Sequence, residues 1–402
     1  MLTPELWPVY GGIGNYVLQV IRNMPKDVEI EIVAPGIPGG PSGEDSAARD
    51  LTSFLPTNTM ITYLGGELNS ISRRAAFQLM CKDYVESAVR KGRFEVVHSA
   101  NSVPDWLVNP RKLNVPLVST VHTTIQGHYE ALRTMGEKPS ELATSERLVF
   151  LLGPVFSLAE RTYYTNKRNY VTVSEWAKRQ MAKEKHINAS RIRVVQIGVD
   201  ADVFNPEKKG HAREFYPSLM DIDQPKVLFL SRMATRKGIG LLLKAIPRIL
   251  EKVDAHFVFA GAGKKPDFSI PNSNYTYLGH VAFDRPPYLY ALSDIFVLPS
   301  LFENFPACIL EAMASECAVV ATRICGIPEM IRHEENGLMI PPNSVDDIAG
   351  AVVRLIDEDD LRKSINKRAR MDVVDKFSWQ TTASNTKQYY EDLIESQKRR
   401  GN

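Results

Sequence analysis

The sequence predicts an α/β protein made of two doubly wound, parallel-sheet domains. Three observations carry that expectation. Short apolar, β-favouring runs alternate with helical patterns along the 402 residues, the pattern of a parallel sheet covered on both faces. The alternation pauses over residues 198–224 and restarts at residues 226–232, and a chain this long can hold two domains of ordinary size. Residues 294–316, DIFVLPSLFENFPACILEAMASE, read as a strand, a loop and a helix, with one carboxylate in the loop and another in the helix.

Taken in order, residues 1–3 are a short start. Gly11, Gly12 and Gly14 then lead into a helix with Tyr16, Val17, Val20 and Ile21 on one face. Glycines let a backbone approach a ligand closely, and a helix start favours a diphosphate. A GGxG loop alone is a turn about as often as a site. The third glycine of G-x-G-x-x-G is absent, which removes support for a dinucleotide-binding dehydrogenase. A strand at 29–35 and a Gly/Pro/Ser-rich loop at 36–46, expected to be mobile, come next. A helix at 75–90 leads to a strand at 94–100. His98 closes that strand and reads as a histidine hydrogen-bonded at a strand end. The strand at 116–124 places His122 just past its carboxyl end, where open α/β sheets bind ligands. A helical stretch at 140–165 follows. A strand then ends at Ser174, expected to cap the next helix, and the strand 191–199 closes this half.

Between Arg161 and Arg193 stand nine Lys/Arg against two Glu, a local excess of seven positive charges. A solvated charged face is the first reading. A surface for an anionic membrane or an anionic acceptor is the second.

In the second half, Arg232 and Lys237 fall at a strand's carboxyl end and the next helix start, where two cations would hold a diphosphate. Arg236, beside them, reads as solvated. Strands are expected near 256–263 and 275–281. Ile295 to Leu298 is a short buried strand broken by Pro299 and Ser300. Pro306 suits the first residue of a helix, and Ile309, Leu310 and Met313 recur at helical spacing. Glu303 thus stands in the loop and Glu311 inside the helix. Two carboxylates so placed accept hydrogen bonds from several hydroxyls, a sugar-binding pattern more than a phosphate-binding one. An arbitrary E-x7-E pair is ordinarily two solvated glutamates; context decides. A strand at 318–322, a helix at 345–358 and a helical tail from Trp379 to about Gln397 complete the chain.

A net charge of +2 gives no global argument for nucleic acid. The four cysteines show no C-x-x-C spacing and read as free thiols of a reducing cytosol. The longest apolar stretch, 148–159, contains Gly153 and Pro154 and is too short to span a bilayer. These features suggest a cytoplasmic or peripheral protein. Two D-x-D triplets, at Asp221 with Asp223 and at Asp357 with Asp359, lie away from the cation pair and read as chance.

The E-x7-E segment, within ALSDIFVLPSLFENFPACILEAMA, resembles retaining glycosyltransferases of family 4, nucleotide-sugar-dependent enzymes of the GT-B fold with two Rossmann-like domains across a cleft. The resemblance extends over nearly the whole chain. It implies an N-terminal acceptor-binding domain over residues 1–205, with a last helix at about 380–402 packing back on it, and a donor-binding domain over 206–379. It implies that Glu303, with Asn304, Phe305 and Pro306, meets the donor sugar and that Glu311 meets the ribose. Arg232 and Lys237 would clamp the diphosphate, and the backbone near Gly279 and Val281 would read the base. His122 and the loop of Gly11, Gly12 and Gly14 would act from the first domain. A hexose, mannose or glucose, would pass from a nucleotide-diphosphate sugar to a glycan, lipid-linked or small-molecule acceptor, with no metal cofactor. The chain departs from the family at residues 1–3, which stand where members open with a full strand, a departure bearing on the edge of the first sheet. It departs again at Ile197, where members carry Asn. An epimerase or phosphorylase on a similar fold, and a non-catalytic nucleotide-sugar sensor, are the competing readings. An epimerase would alter the donor with no acceptor, and a phosphorylase would need free phosphate.

Overall fold

The computed structural model describes residues 1–6, 12–36, 54–68, 70–134, 144–268 and 271–401. The Gly/Pro/Ser-rich loop falls almost wholly outside them. The chain divides into two compact units: Met1–Thr124 with Ser157–Ile197 and Trp379–Asn402, and Ile125–Phe156 with Gly198–Ser378.

The first unit holds strands β1 (Ile30–Pro35), β2 (Thr59–Leu64), β3 (Val97–Ser99), β4 (Leu117–Val121), β5 (Asn169–Thr172) and β6 (Ile192–Val194). Neighbours run parallel, in the orders β2-β1 and β3-β4-β5-β6. Leu2 joins the two pieces, because it bridges in parallel to Val33 of β1 and to Ser99 of β3. Its amide donates to the His98 carbonyl at 2.7 Å, and the Ala100 amide donates to its carbonyl at 2.8 Å. Residues 1–3 therefore lie inside the sheet rather than at its edge.

Helix α1 (Gly12–Arg22) buries Tyr16, Val17, Val20 and Ile21, the face its spacing predicts. That face packs with Ile32, Ala34 and Trp379. Helix α2 (Ile71–Arg90) begins four residues earlier than expected, where the Ser70 hydroxyl accepts from the Arg73 amide at 3.2 Å. Helices α3 (Ile125–Thr134) and α4 (Thr144–Tyr163) separate β4 from β5. Ser174 caps α5 (Glu175–Glu184) as expected, accepting from the Ala177 amide at 3.0 Å. The C-terminal helix Trp379–Gly401 seats Tyr389 against Val118, Val171 and Val195 of this sheet.

The second unit is one six-stranded parallel sheet: β7 (Lys226–Leu230), β8 (His256–Ala260), β9 (Tyr275–Gly279), β10 (Ile295–Leu298), β11 (Ala318–Thr322) and β12 (Leu338–Ile340). Its order is β12-β11-β10-β7-β8-β9. From β7 the chain first builds outward to β9, then returns to β10 and builds the other way. The order reverses between β7 and β10, and ligands of open α/β sheets bind at the carboxyl ends of such strands. Every residue of β10 is buried, consistent with its unbroken apolar run. Around the sheet lie α6 (Ile239–Leu250), α7 (Pro286–Leu292), α8 (Ala307–Ala314), α9 (Val345–Asp357) and α10 (Asp359–Lys376).

Residues 198–224, where the alternation pauses, belong to the body of this unit. They form a 3-10 helix at Pro206–Glu214 and a helical turn at Pro217–Met220. Phe215 packs against Tyr288 with ring centroids 4.5 Å apart, and Ala212 and Leu219 are buried. The apolar residues of the stretch are anchors on α7, which explains why it does not run free.

Candidate functional site

The site begins with two loops forced into contact. Gly238, after β7, sits at φ +76°, in the left-handed region that favours glycine, and a Cβ there would stand 1.9 Å from the Pro299 carbonyl oxygen after β10. The Leu301 amide donates to the Arg236 carbonyl at 2.9 Å, tying the same loops together. Gly261, after β8, has φ +139°, and a Cβ there would stand 1.8 Å from the Ser231 carbonyl oxygen. Three strand ends are thus packed backbone to backbone at the reversal of strand order.

This crossing sets Lys237 against Glu303. The Lys237 Nζ donates to Glu303 Oε1, and the Ser300 hydroxyl donates to the same oxygen at 3.3 Å. Arg236 is not solvated as its sequence context suggested. Its side chain is 13% exposed, its Nη1 lies 3.6 Å from Glu303 Oε1, and it donates to the Phe302 carbonyl at 3.0 Å. The tight turn into Gly238 folds Arg236 back over the β10 loop. Arg232, by contrast, is exposed at the end of β7. Two cations, Lys237 and Arg236, thus meet one carboxylate, Glu303, which leaves the cluster net positive.

Glu311 lies half-buried in α8, with Tyr290 of α7 donating to its Oε2 at 3.0 Å. Burial pushes its carboxyl up to about 7, against the opposing pull of the Tyr290 hydrogen bond. Pro306 is the N-cap of α8 and not its first residue, one position from the expectation. Asn304, Phe305 and Pro306 are buried, and the Phe305 ring leans on Phe377 at 5.9 Å. Gly279 ends β9 at φ +67° and accepts from the Gly261 amide at 2.7 Å, so the base-reading candidates sit on the same packed rim; Val281, two residues on, is half-buried. The acidic D-x-D residues go elsewhere: Asp221 pairs with Arg213 at 3.0 Å, and Asp359 with Arg362 and Lys363.

In the first unit Gly11 lies outside the described residues. Gly14 is buried in the first turn of α1, and its amide donates to Glu5 Oε1 at 2.9 Å. A carboxylate therefore serves this helix start. Around Gly12 a Cβ would meet nothing within 4 Å among the described residues, so their packing does not require that glycine. His122 follows β4 directly, edge-on to Tyr16 with centroids 5.1 Å apart. Burial lowers it to about 4, which leaves a neutral imidazole at neutral pH. His98 fits its reading as a strand-end histidine, meeting Thr120 Oγ1 at 2.7 Å and the Tyr390 hydroxyl at 2.5 Å.

The basic stretch is mostly a solvated face, with two of its nine cations buried in ion pairs and a third paired at the surface. Arg168 is buried against Asp105 at 2.6 Å and Lys185 against Glu160 at 2.9 Å, while Arg193 pairs with Asp392. Arg161, Lys167, Arg179 and Lys183 remain exposed. All four cysteines are free. No helix among the described residues is long and apolar enough to cross a membrane.

Sequence reasoning missed Glu5, Tyr290 and Ser300 as site neighbours, and it misread Arg236. Tyr290 carried a signal: it lies four residues before Asp294, on the helix feeding β10.

Two Rossmann-like parallel-sheet units, with cations and carboxylates gathered where the second sheet reverses order, define a protein of the GT-B class. The chain belongs to the group 1, family 4 glycosyltransferases. The model described as Glycosyltransferase Family 4 matches residues 10–203, and that of Glycosyl transferases group 1 matches residues 224–358. An uncharacterized glycosyltransferase of Methanocaldococcus jannaschii is 30% identical over 234 residues, 56% of this chain and 60% of that protein. A GDP-mannose-dependent alpha-(1-6)-phosphatidylinositol monomannoside mannosyltransferase of Mycobacterium tuberculosis is 31% identical over 212 residues, 49% of this chain and 54% of that protein. The chain thus spans somewhat over half the length of each. Among solved structures, the sucrose-phosphate synthase of Thermosynechococcus elongatus shares the fold, with a TM-score of 0.74 at 18% identity over 98% of this chain and 99% of that one.

Proposed function

We propose that the protein is a retaining, metal-independent hexosyltransferase that moves mannose or glucose from a nucleotide-diphosphate sugar to a glycan, lipid-linked or small-molecule acceptor. The observation that carries this reading is the meeting of Lys237, Arg236 and Glu303 at the joined carboxyl ends of β7 and β10. Family membership and the hexosyl name of the mycobacterial relative support it.

In the proposed reaction Lys237 and Arg232 hold the diphosphate. Glu311 accepts from the ribose hydroxyls, and Glu303, with the backbone of Asn304 to Pro306, positions the sugar. The bond from the anomeric carbon to the diphosphate oxygen breaks, and charge builds on the leaving oxygens. The cations neutralise that charge in place of a divalent metal. The acceptor oxygen bonds the anomeric carbon on the face the diphosphate leaves, giving retention, and its proton passes to the leaving diphosphate. His122 and the loop of Gly11, Gly12 and Gly14 stay in the proposal on the family pattern alone, as do Gly279 and Val281 for the base. Peripheral contact with an anionic membrane on the cytoplasmic side rests on the exposed Arg161, Lys167, Arg179 and Lys183.

The test is a panel of UDP-, GDP- and ADP-hexoses scored for donor hydrolysis and transfer, in chelator. One donor should be consumed, and Arg232→Ala should cut turnover on the order of 10²-fold, the scale of losing one charge stabiliser in the transition state. Wild-type turnover in that variant, or activity that returns only with Mn²⁺ or Mg²⁺, would contradict the reading.

A further inference from the structure

We propose that Tyr290 is the positioning residue for Glu311: its hydroxyl fixes Oε2 and so presents Oε1 of the same carboxylate to the donor's hydroxyls. The inference rests on the reading of Glu311 as a donor contact. It goes beyond that reading because it assigns the group that aims and ionises the carboxylate.

The geometry is specific. Tyr290 is fully buried in α7, and its hydroxyl donates to Glu311 Oε2 at 3.0 Å. Its ring is held edge-on by Phe296, with centroids 5.4 Å apart, and by Phe204 at 6.0 Å. The phenol cannot swing away from Glu311 without opening that aromatic cluster. Burial and the neighbouring Glu311 charge push the Tyr290 hydroxyl far above its ordinary range, so it donates throughout the working pH. A carboxylate has two oxygens, each able to accept more than one hydrogen bond. Engaging one from behind leaves the other for a ligand, in a single orientation.

The hydroxyl also lowers the pH at which Glu311 ionises. Burial raises this carboxyl to about 7 and the Tyr290 bond lowers it. A protonated Glu311 loses acceptor capacity, so donor affinity should rise as pH climbs through that value. The two buried thiols nearby stay protonated in this window. Burial pushes Cys308 of α8 up to about 12, and it pushes Cys317 well above the usual thiol range. Lys237 is ion-paired with Glu303. Arg370 of α10 donates to the Ala314 carbonyl at the far end of α8.

The experiment titrates the full chain with UDP-glucose, GDP-mannose and ADP-glucose, whose phosphodiester groups do not titrate between pH 5.5 and 9, taken as a window of roughly 2 units around neutrality. The tightest binder is followed across that window by calorimetry. Tyr290→Phe keeps the ring and removes the hydroxyl. It should weaken donor binding about tenfold at pH 7, move the pH midpoint upward, and narrow the gap to wild type at high pH, with kcat changed less than KM. An unchanged midpoint in a folded Tyr290→Phe protein overturns the inference. Should that variant not fold, 3-fluorotyrosine at position 290 keeps the hydroxyl and makes it a stronger donor. The midpoint should then move downward, and no movement overturns the inference. Glu311→Gln separates the two levels. If it leaves affinity intact, the placing of Glu311 in the donor site fails. If it weakens binding while Tyr290→Phe does not, only the positioning role fails.

Discussion

Arg236 illustrates how a single side chain changes the electrostatics of a site. Read beside Lys237 it looks like a surface arginine, yet it lies 3.6 Å from Glu303 and holds the Phe302 carbonyl. Without it, the low-exposure pair of Lys237 and Glu303 would be close to neutral, leaving Arg232 as the main cation for a diphosphate. Pairing alone would hold Lys237 back from the donor; the second guanidinium offsets the glutamate. Arg236→Met keeps much of the packing volume and removes the charge. It should raise the donor KM about tenfold, the scale of one charge-assisted hydrogen bond, while leaving the melting temperature within a few degrees. Unchanged steady-state kinetics would show that Arg236 serves only the loop.

At the scale of elements, the site depends on loops that cross more closely than side chains allow. Gly238 is where the β7 and β10 loops touch, with a left-handed φ and no room for a Cβ. Gly238→Ala should therefore cost about 2 kcal/mol or more of stability from backbone strain, and the Pro299 contact adds to that. It should also weaken donor binding beyond the stability loss, because Lys237 immediately precedes the displaced backbone. A thermal melt and a donor titration on the same preparation check both, and a variant matching wild type in each would contradict the crossing.

Much of this level was legible in the sequence. The apolar run of β10, the Ser174 cap and the buried face of α1 each follow from local pattern, as does the alternation that builds both sheets. Helix α10 was not seen, because its 18 residues are strongly charged and give no clear apolar stripe. Strand β2 was missed because its six residues, TMITYL, are mostly half-buried at a sheet edge. In the site, Glu303, Glu311 and Lys237 were legible from motif spacing. Arg236 and Tyr290 were not, because their roles come from tertiary contacts across 66 and 21 residues of sequence respectively.

For the molecule as a whole, each unit repeats one plan, a parallel sheet that builds outward from an inner strand and then reverses. In the first unit that inner strand shrinks to the pairing of Leu2 with Val33 and Ser99; in the second it is β7. Chemistry-bearing residues follow the carboxyl ends of strands in both: His122 after β4, Arg232 to Lys237 after β7, Glu303 after β10. We propose that the second unit's reversal point is a nucleotide-sugar site built from opposed cations and carboxylates. A crystal structure of the chain bound to its preferred nucleotide-sugar is the decisive test. The diphosphate oxygens should lie within hydrogen-bond reach, roughly 2.7–3.2 Å, of Arg232 and Lys237, with Glu303 on the sugar and Glu311 on the ribose. A donor seated elsewhere, with those four side chains still facing one another or bulk water, would contradict it.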